Sequence, residues 1–221
     1  MSDAVLESLL QQVSEFAGDE LDTARADYFY RCGEPFEDES DYEGRLQNFI
    51  EWYVFDWPLK SGLTPFESFM ADVAGTPREA EFLAFRDQIH SLFRVRAVKA
   101  GGLSLQDLFT ETKYFVPREI TAGFEAGTVI EARLIDADAT PRLTHTLLIH
   151  PRPCTKLIRK AARKIRKAQN IPAWRELMCR SSNLALRASR YKHVDARKIY
   201  EELLGEGEAA KKNWFLRAEV K

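Results

Sequence analysis

Cysteine, histidine and long apolar runs are all scarce in this chain of 221 residues, and each scarcity removes a class of protein. The three cysteines, Cys32, Cys154 and Cys179, are odd in number and far apart, which argues against a disulfide framework and fits a reducing cytosol. No apolar stretch approaches the roughly 20 residues of a membrane-spanning helix, so no membrane partner is expected. The first residues form an acidic amphipathic pattern, with no basic patch ahead of an apolar run. That pattern predicts no signal peptide and a cytoplasmic location.

Reactive constellations are equally scarce. His90, His145, His150 and His193 are dispersed, and His145 and His150 stand five apart in a predicted strand, hence on opposite faces. Cys154 beside His150 imitates a nucleophile and its base, yet no third group orients them, and Pro151-Arg152-Pro153 reads as a loop around an incidental thiol. Gly101-Gly102 is a bare pair that reads as a turn, not a phosphate-cradling loop. Ser181-Ser182 falls inside a predicted helix, without the strand-to-helix context of a nucleophile elbow. The sequence therefore predicts no catalytic residue, no metal site and no cofactor, and the chain reads as non-catalytic.

What is present is a stretch, Phe93 to Ile149, whose apolar residues recur every second position. Phe93, Val95 and Ala97 alternate with Arg94 and Arg96, and Gly101-Gly102 supplies a turn. Leu103, Leu105 and Leu108 or Phe109 continue the pattern, and Tyr114 to Val116 stops at Pro117. Val129, Glu131 and Arg133 separate from Ile130, Ala132 and Leu134 onto two faces. Asp136 to Pro141 is turn-like, and Leu143 to Ile149 closes the unit. Five short strands predict a small antiparallel β-barrel or rolled sheet.

Around it lie helical patterns. Val5, Leu6, Leu9, Leu10, Val13 and Phe16 form an apolar stripe that Gly18 ends, and a second helix runs to about Tyr30. The acidic segment Gly33 to Glu43 reads as a solvated loop, without calcium-loop spacing. Phe49, Ile50, Trp52, Tyr53, Phe55 and Trp57 cluster before Pro58; their acidic surroundings favour a core over a base-stacking surface. Thr64-Pro65-Phe66-Glu67 and Thr76-Pro77-Arg78-Glu79 each place a hydroxyl, a proline and a carboxylate where a helix start needs them. The second of these helices is expected to carry Phe82, Leu83, Phe85 and Ile89 towards Leu92.

Phe49, Trp52 and Asp56, then Gly62, Thr64, Pro65 and Glu67, then Ser91, Phe93 and Val95, then Gly102, Leu105 and Asp107 follow in a recognisable succession. Over roughly residues 45–150 it resembles a family of uncharacterised bacterial proteins, some of which look like companions of a short Cys/His-rich SEC-C zinc tail. This chain has no Cys/His tail, so the resemblance carries over no zinc, and it implies no activity.

Charge is unevenly placed. Residues 1–84 carry 5 Lys and Arg against 19 Asp and Glu, whereas residues 152–221 carry 19 against 7. The chain thus reads as α+β: an acidic helical N-terminal part (1–91), a small β unit (92–150) and a basic helical C-terminal part (151–221), which can fold as one compact unit. In the last part, Thr155 is the expected cap of a helix whose apolar stripe is Leu157, Ile158, Ala161, Ala162, Ile165 and Ala168. Asn170 and Pro172 then break that helix and another begins, with Trp174, Leu177, Met178, Leu184, Ala185, Ala188 and Tyr191 on one side. Opposite those stripes stand Lys156, Arg159, Lys160, Arg163, Lys164, Arg166, Lys167, Arg180, Arg187 and Arg190, the candidate phosphate contacts of a nucleic-acid-binding surface. The alternative is a protein-interaction or scaffold module whose basic face meets an acidic protein partner or the acidic N-terminal half of its own chain. Prominent alanines on the stripe argue against a membrane-surface helix.

Overall fold

The computed structural model describes residues 3–117, 123–135 and 140–204. Its first layer is helical: α1 (Asp3–Phe16), α2 (Leu21–Cys32), α3 (Tyr42–Asp56), α4 (Pro65–Asp72) and α5 (Pro77–Phe82). The stripe of α1 buries Leu6, Leu9, Leu10 and Val13 against an aromatic core that includes Tyr28, Phe49, Trp52, Tyr53, Phe55, Phe69 and Phe82. The aromatic cluster of α3 is therefore interior packing.

The two threonine-proline boxes start helices in different ways. At α4 the box is complete: Glu67 N donates to Thr64 Oγ1 at 3.2 Å, and Thr64 N donates to Glu67 Oε2 at 2.7 Å. At α5 the reach is one residue longer, because Thr76 Oγ1 turns to donate to Val73 O at 2.7 Å and Gly75 N donates to Glu79 Oε2 at 2.8 Å. This helix also ends earlier than its periodicity predicts, passing at Phe82 into a 3-10 turn, Leu83–Phe85. Strand pairing takes over the rest, since Ile89 already faces Leu134 and Leu92 faces Glu131 across a ladder.

Five antiparallel strands follow: β1 (Ile89–Lys99), β2 (Gly102–Asp107), β3 (Lys113–Pro117), β4 (Val129–Ile135) and β5 (Arg142–Ile149). Their order is β3-β2-β1-β4-β5. The sheet is not closed: β3 and β5 come near each other at its edges but share no ladder, so the strands do not complete a barrel. Register shifts at Val95/Ala97 in β1 and Ala132/Leu134 in β4 mark bulges, which bend a sheet and increase its twist. On one face Phe93, Val95, Leu103, Leu105, Val116, Ile130, Ala132 and Leu134 pack on one another, with Phe124 as the buried contribution from outside the strands. Residues 136–139 of the turn expected before β5 lie outside the described residues.

The β1-β2 turn needs glycine for two reasons. Gly101 sits at φ +84°, and a Cβ on Gly102 would lie 2.5 Å from the backbone oxygen of Val116. Gly102→Ala is expected to cost about 1–3 kcal/mol in urea denaturation, because the obstacle is backbone rather than a movable side chain. Gly44→Ala, inside α3 with open space around it, is expected instead to stabilise by about 0.4–1 kcal/mol.

The C-terminal layer contains α6 (Thr155–Lys167), α7 (Ile171–Arg190) and α8 (Ala196–Tyr200). Asn170 caps α7, accepting from Ala173 N at 3.1 Å. Thr155 does not cap α6: it is buried within the first turn, and its hydroxyl has no hydrogen-bond partner. Ile158, Ala161 and Ala162 of α6 join Leu177, Met178 and Leu184 of α7, together with Leu92 and Val129 of the sheet, in a second core. Helix α7 also reaches the aromatic core through Cys179, and Leu186 approaches α2 so closely that a Cβ on Gly33 would lie 2.8 Å from its Cδ2. Residues 205–221 of the expected basic part lie outside the described residues. No described helix is long and apolar enough to cross a membrane.

Candidate functional site

The apolar stripe of α6 faces inward, which turns its basic residues out. Lys156, Arg159, Lys160, Arg163, Lys164 and Lys167 are exposed, and Arg166 is half-buried. Between α6 and strands β1 and β2 lies a groove of about 420 Å³, lined by Lys156, Arg159, Lys160, Arg163, Arg166 and, from the sheet, Arg94. Burial first, and then the neighbouring Arg159 and Arg96, push the Arg94 guanidinium below the ordinary arginine value. Its Nε is buried without a hydrogen-bond partner.

Two carboxylates line the same groove, and both are engaged. Glu111 Oε1 pairs with Arg166 Nη1 at 2.5 Å. Asp107 Oδ1 accepts from Phe109 N at 2.6 Å and from Thr110 N at 3.0 Å. Lys156, Arg159, Lys160 and Arg163 make no ion pair with any described carboxylate. The groove is thus a concave surface in which positive charge predominates.

The arginines of α7 do not join this groove. Arg187 makes a two-pronged contact with Glu202, 2.7 Å for each nitrogen–oxygen pair. Arg180 Nη2 donates to the backbone oxygen of the same residue at 2.7 Å. Arg190 Nε meets Glu39 Oε1 at 2.6 Å, and its guanidinium lies 4.2 Å from the centre of the Phe36 ring. Glu39 belongs to the acidic segment expected to be a solvated loop, and Arg190 holds its carboxyl below the usual range. The sequence-predicted set therefore divides: α6 presents a groove, and the arginines of α7 meet carboxylate and carbonyl oxygens of their own chain.

A second cluster was not anticipated from the sequence. The face of β4 opposite Ile130, Ala132 and Leu134 carries Glu131 and Arg133 beneath α3, which contributes Glu51 and Asp56, while β1 contributes His90. Arg133 is 0 % exposed, bonds Asp56 and Gln88, stands 3.6 Å from Glu51 and lies 4.9 Å from the centre of the Phe55 ring. Glu51 accepts from Thr144 Oγ1 at 2.5 Å, Thr146 Oγ1 at 2.6 Å and Thr146 N at 3.0 Å. His90 sits between Glu131 at 3.1 Å and Asp56 at 3.4 Å. One available clue was that Glu131 and Arg133 alternate with wholly apolar residues in a strand at the middle of the sheet.

The two buried histidines titrate in opposite directions. Burial and Arg133 oppose the charge on His90, but its two carboxylate partners outweigh them and raise it to about 9. Burial dominates at His150, lowering it to about 4. Its Nδ1 lies 2.9 Å from the Tyr200 hydroxyl. A raised histidine contributes stability that is complete below its unfolded value of ~6.5 and is lost as pH climbs through about 9. A lowered one contributes stability that is present above ~6.5 and lost as pH falls through about 4. Denaturant stability measured against pH is therefore expected to crest near 6.5, with about 3 kcal/mol at stake on each limb. His90→Gln should flatten the alkaline limb.

Burial also pushes the Cys154 thiol up to about 11, far from the thiolate form at neutral pH. Among the described residues no group of three or more His, Cys, Asp or Glu side chains is placed to hold a metal ion. The chain matches no protein-family model, no curated protein and no solved structure.

Proposed function

We propose that the chain is a non-catalytic nucleic-acid-binding protein that holds a phosphate backbone in the groove between α6 and the sheet. One observation carries this reading: Arg94 of β1 faces Lys156, Arg159, Lys160 and Arg163 of α6 across a groove whose two carboxylates are taken up by Arg166 and by the Phe109 and Thr110 amides. Like charges held together in a concavity form a standing field for a polyanion, and each phosphate they bind releases counterions. Five such contacts predict a log–log salt slope of about −3.5 on single strands and about −4.5 on duplex.

Titration of random single- and double-stranded oligonucleotides from about 50 mM salt upward tests the proposal. A flat slope, or no binding at about 50 mM, removes it. The other reading, a basic face that meets acidic protein surface, is supported at α7, where Arg190 is matched by Glu39 of the acidic N-terminal part. Poly-glutamate of equal charge separates the two: a nucleic-acid groove should prefer the oligonucleotide, and a generic acidic-partner face should not discriminate.

A further inference from the structure

Apart from the basic groove, a cavity of about 330 Å³ opens between α2, α3, the start of β1 and α7. Tyr28, Trp52, Trp57 and Met178 wall it with aromatic and thioether surface, and His90, Asp56 and Glu131 bring the buried ionic cluster to it. That volume falls in the range of small-ligand sites, and the mix of apolar wall with a few convergent polar groups is their usual chemistry.

The cluster behind the wall is short of positive charge. Glu51, Asp56 and Glu131 stand against Arg133 and a His90 flanked by two carboxylates, which leaves one carboxylate without a counter-charge. The neighbouring pairs Arg31–Asp27 and Arg45–Asp41 are balanced and add no surplus. Arg175 also lines the cavity, but it is exposed, where water screens it.

The hydrogen bonds locate the deficit. Glu51 accepts three, and Asp56 accepts from Arg133 and stands 3.4 Å from His90 Nδ1, which like Arg133 Nε makes no hydrogen bond. Glu131 Oε1 accepts from His90 Nε2, while its Oε2 is buried with no hydrogen-bond partner. An unpaired buried carboxylate oxygen is costly enough that it normally has a donor. The walls suit a cation as well, since Trp52 already has the Arg31 guanidinium 5.6 Å from its ring centre.

We infer that this cavity is a binding site for a small organic cation, an ammonium group on an apolar or aromatic body, with the ammonium at Glu131 and the body against Trp52, Trp57 and Tyr28. The ammonium supplies the missing donor and the missing positive charge together. Trp57 Nε1, also buried without a partner, offers a hydrogen bond to an oxygen on the same ligand.

Calorimetric titration of the full chain with 2-phenylethylamine tests the inference, with phenylacetate as an anion of similar size. The amine should bind with Kd below about 1 mM, and phenylacetate at least about tenfold more weakly. Glu131→Gln keeps the shape and removes the charge, and should weaken the amine about tenfold or more. Trp57→Leu, at a half-exposed wall position, should weaken it several-fold and tests the site even if the buried substitution impairs folding. Equal affinity for both probes, amine affinity unchanged in Glu131→Gln or Trp57→Leu, or no heat up to about 10 mM amine overturns the site. None of these outcomes depends on whether oligonucleotides bind the groove.

Discussion

Reversing Arg159 and Arg163 to glutamate should weaken oligonucleotide binding about 100-fold at 50 mM salt. Each lost contact to a single strand removes about 0.7 from the salt slope, and at that salt concentration each is worth roughly a decade of affinity. Both side chains are exposed and line the groove, so the double variant should fold normally, and its salt slope should fall by about 1.4. Arg187→Gln supplies the control from the neighbouring helix. Its guanidinium is already committed to Glu202, so its loss should change affinity less than about twofold. Equal losses in the two variants would show that net charge matters and the groove does not.

The largest expected effect on stability is at Arg133. Arg133→Met leaves Asp56 and Glu51 buried near each other without their shared cation, and removal of one partner from such a group costs about 3–5 kcal/mol. For a chain of this size that shift lowers the melting temperature by roughly 10 °C or more, readable by calorimetry or circular dichroism. Combining it with Asp56→Leu should cost less than the sum of the two single changes, because the second removes a charge that the first left unpaired. Strict additivity of the two would mean that they do not act as a unit.

The strands were legible because their evidence is local. Phe93, Val95, Leu103, Leu105, Ile130, Ala132 and Leu134 alternate in sequence, and the structure gathers these same residues into one core. The helix starts at Pro65 and Pro77 were legible for the same reason, since a cap is written within four residues. The end of α5 was not. Phe82, Leu83, Phe85 and Ile89 carry helical spacing, yet Ile89 has a strand partner 45 residues away in Leu134, and the distant ladder prevails.

The candidate site shows the same limit. A helical wheel puts Arg187 and Arg190 opposite the apolar stripe of α7, correctly for the helix alone, but Glu202 and Glu39 reach them from elsewhere in the chain. On α6 no described carboxylate arrives at Arg159 or Arg163, so there the wheel was sufficient. The buried set of Glu51, Asp56, His90, Glu131 and Arg133 was invisible because its members come from three elements, each unremarkable alone.

That buried set also bears on the order in which the molecule assembles. Strand β4 carries apolar residues on one side and Glu131 with Arg133 on the other, and both sides end up dry. The apolar side is completed by nearby strands, whereas the ionic side waits for carboxylates 77 to 82 positions earlier in the chain. Until α3 docks, Arg133 has reason to stay hydrated. Non-local closure of this kind slows folding, so amide exchange during refolding should protect the β1-β2 hairpin well before the middle of β4.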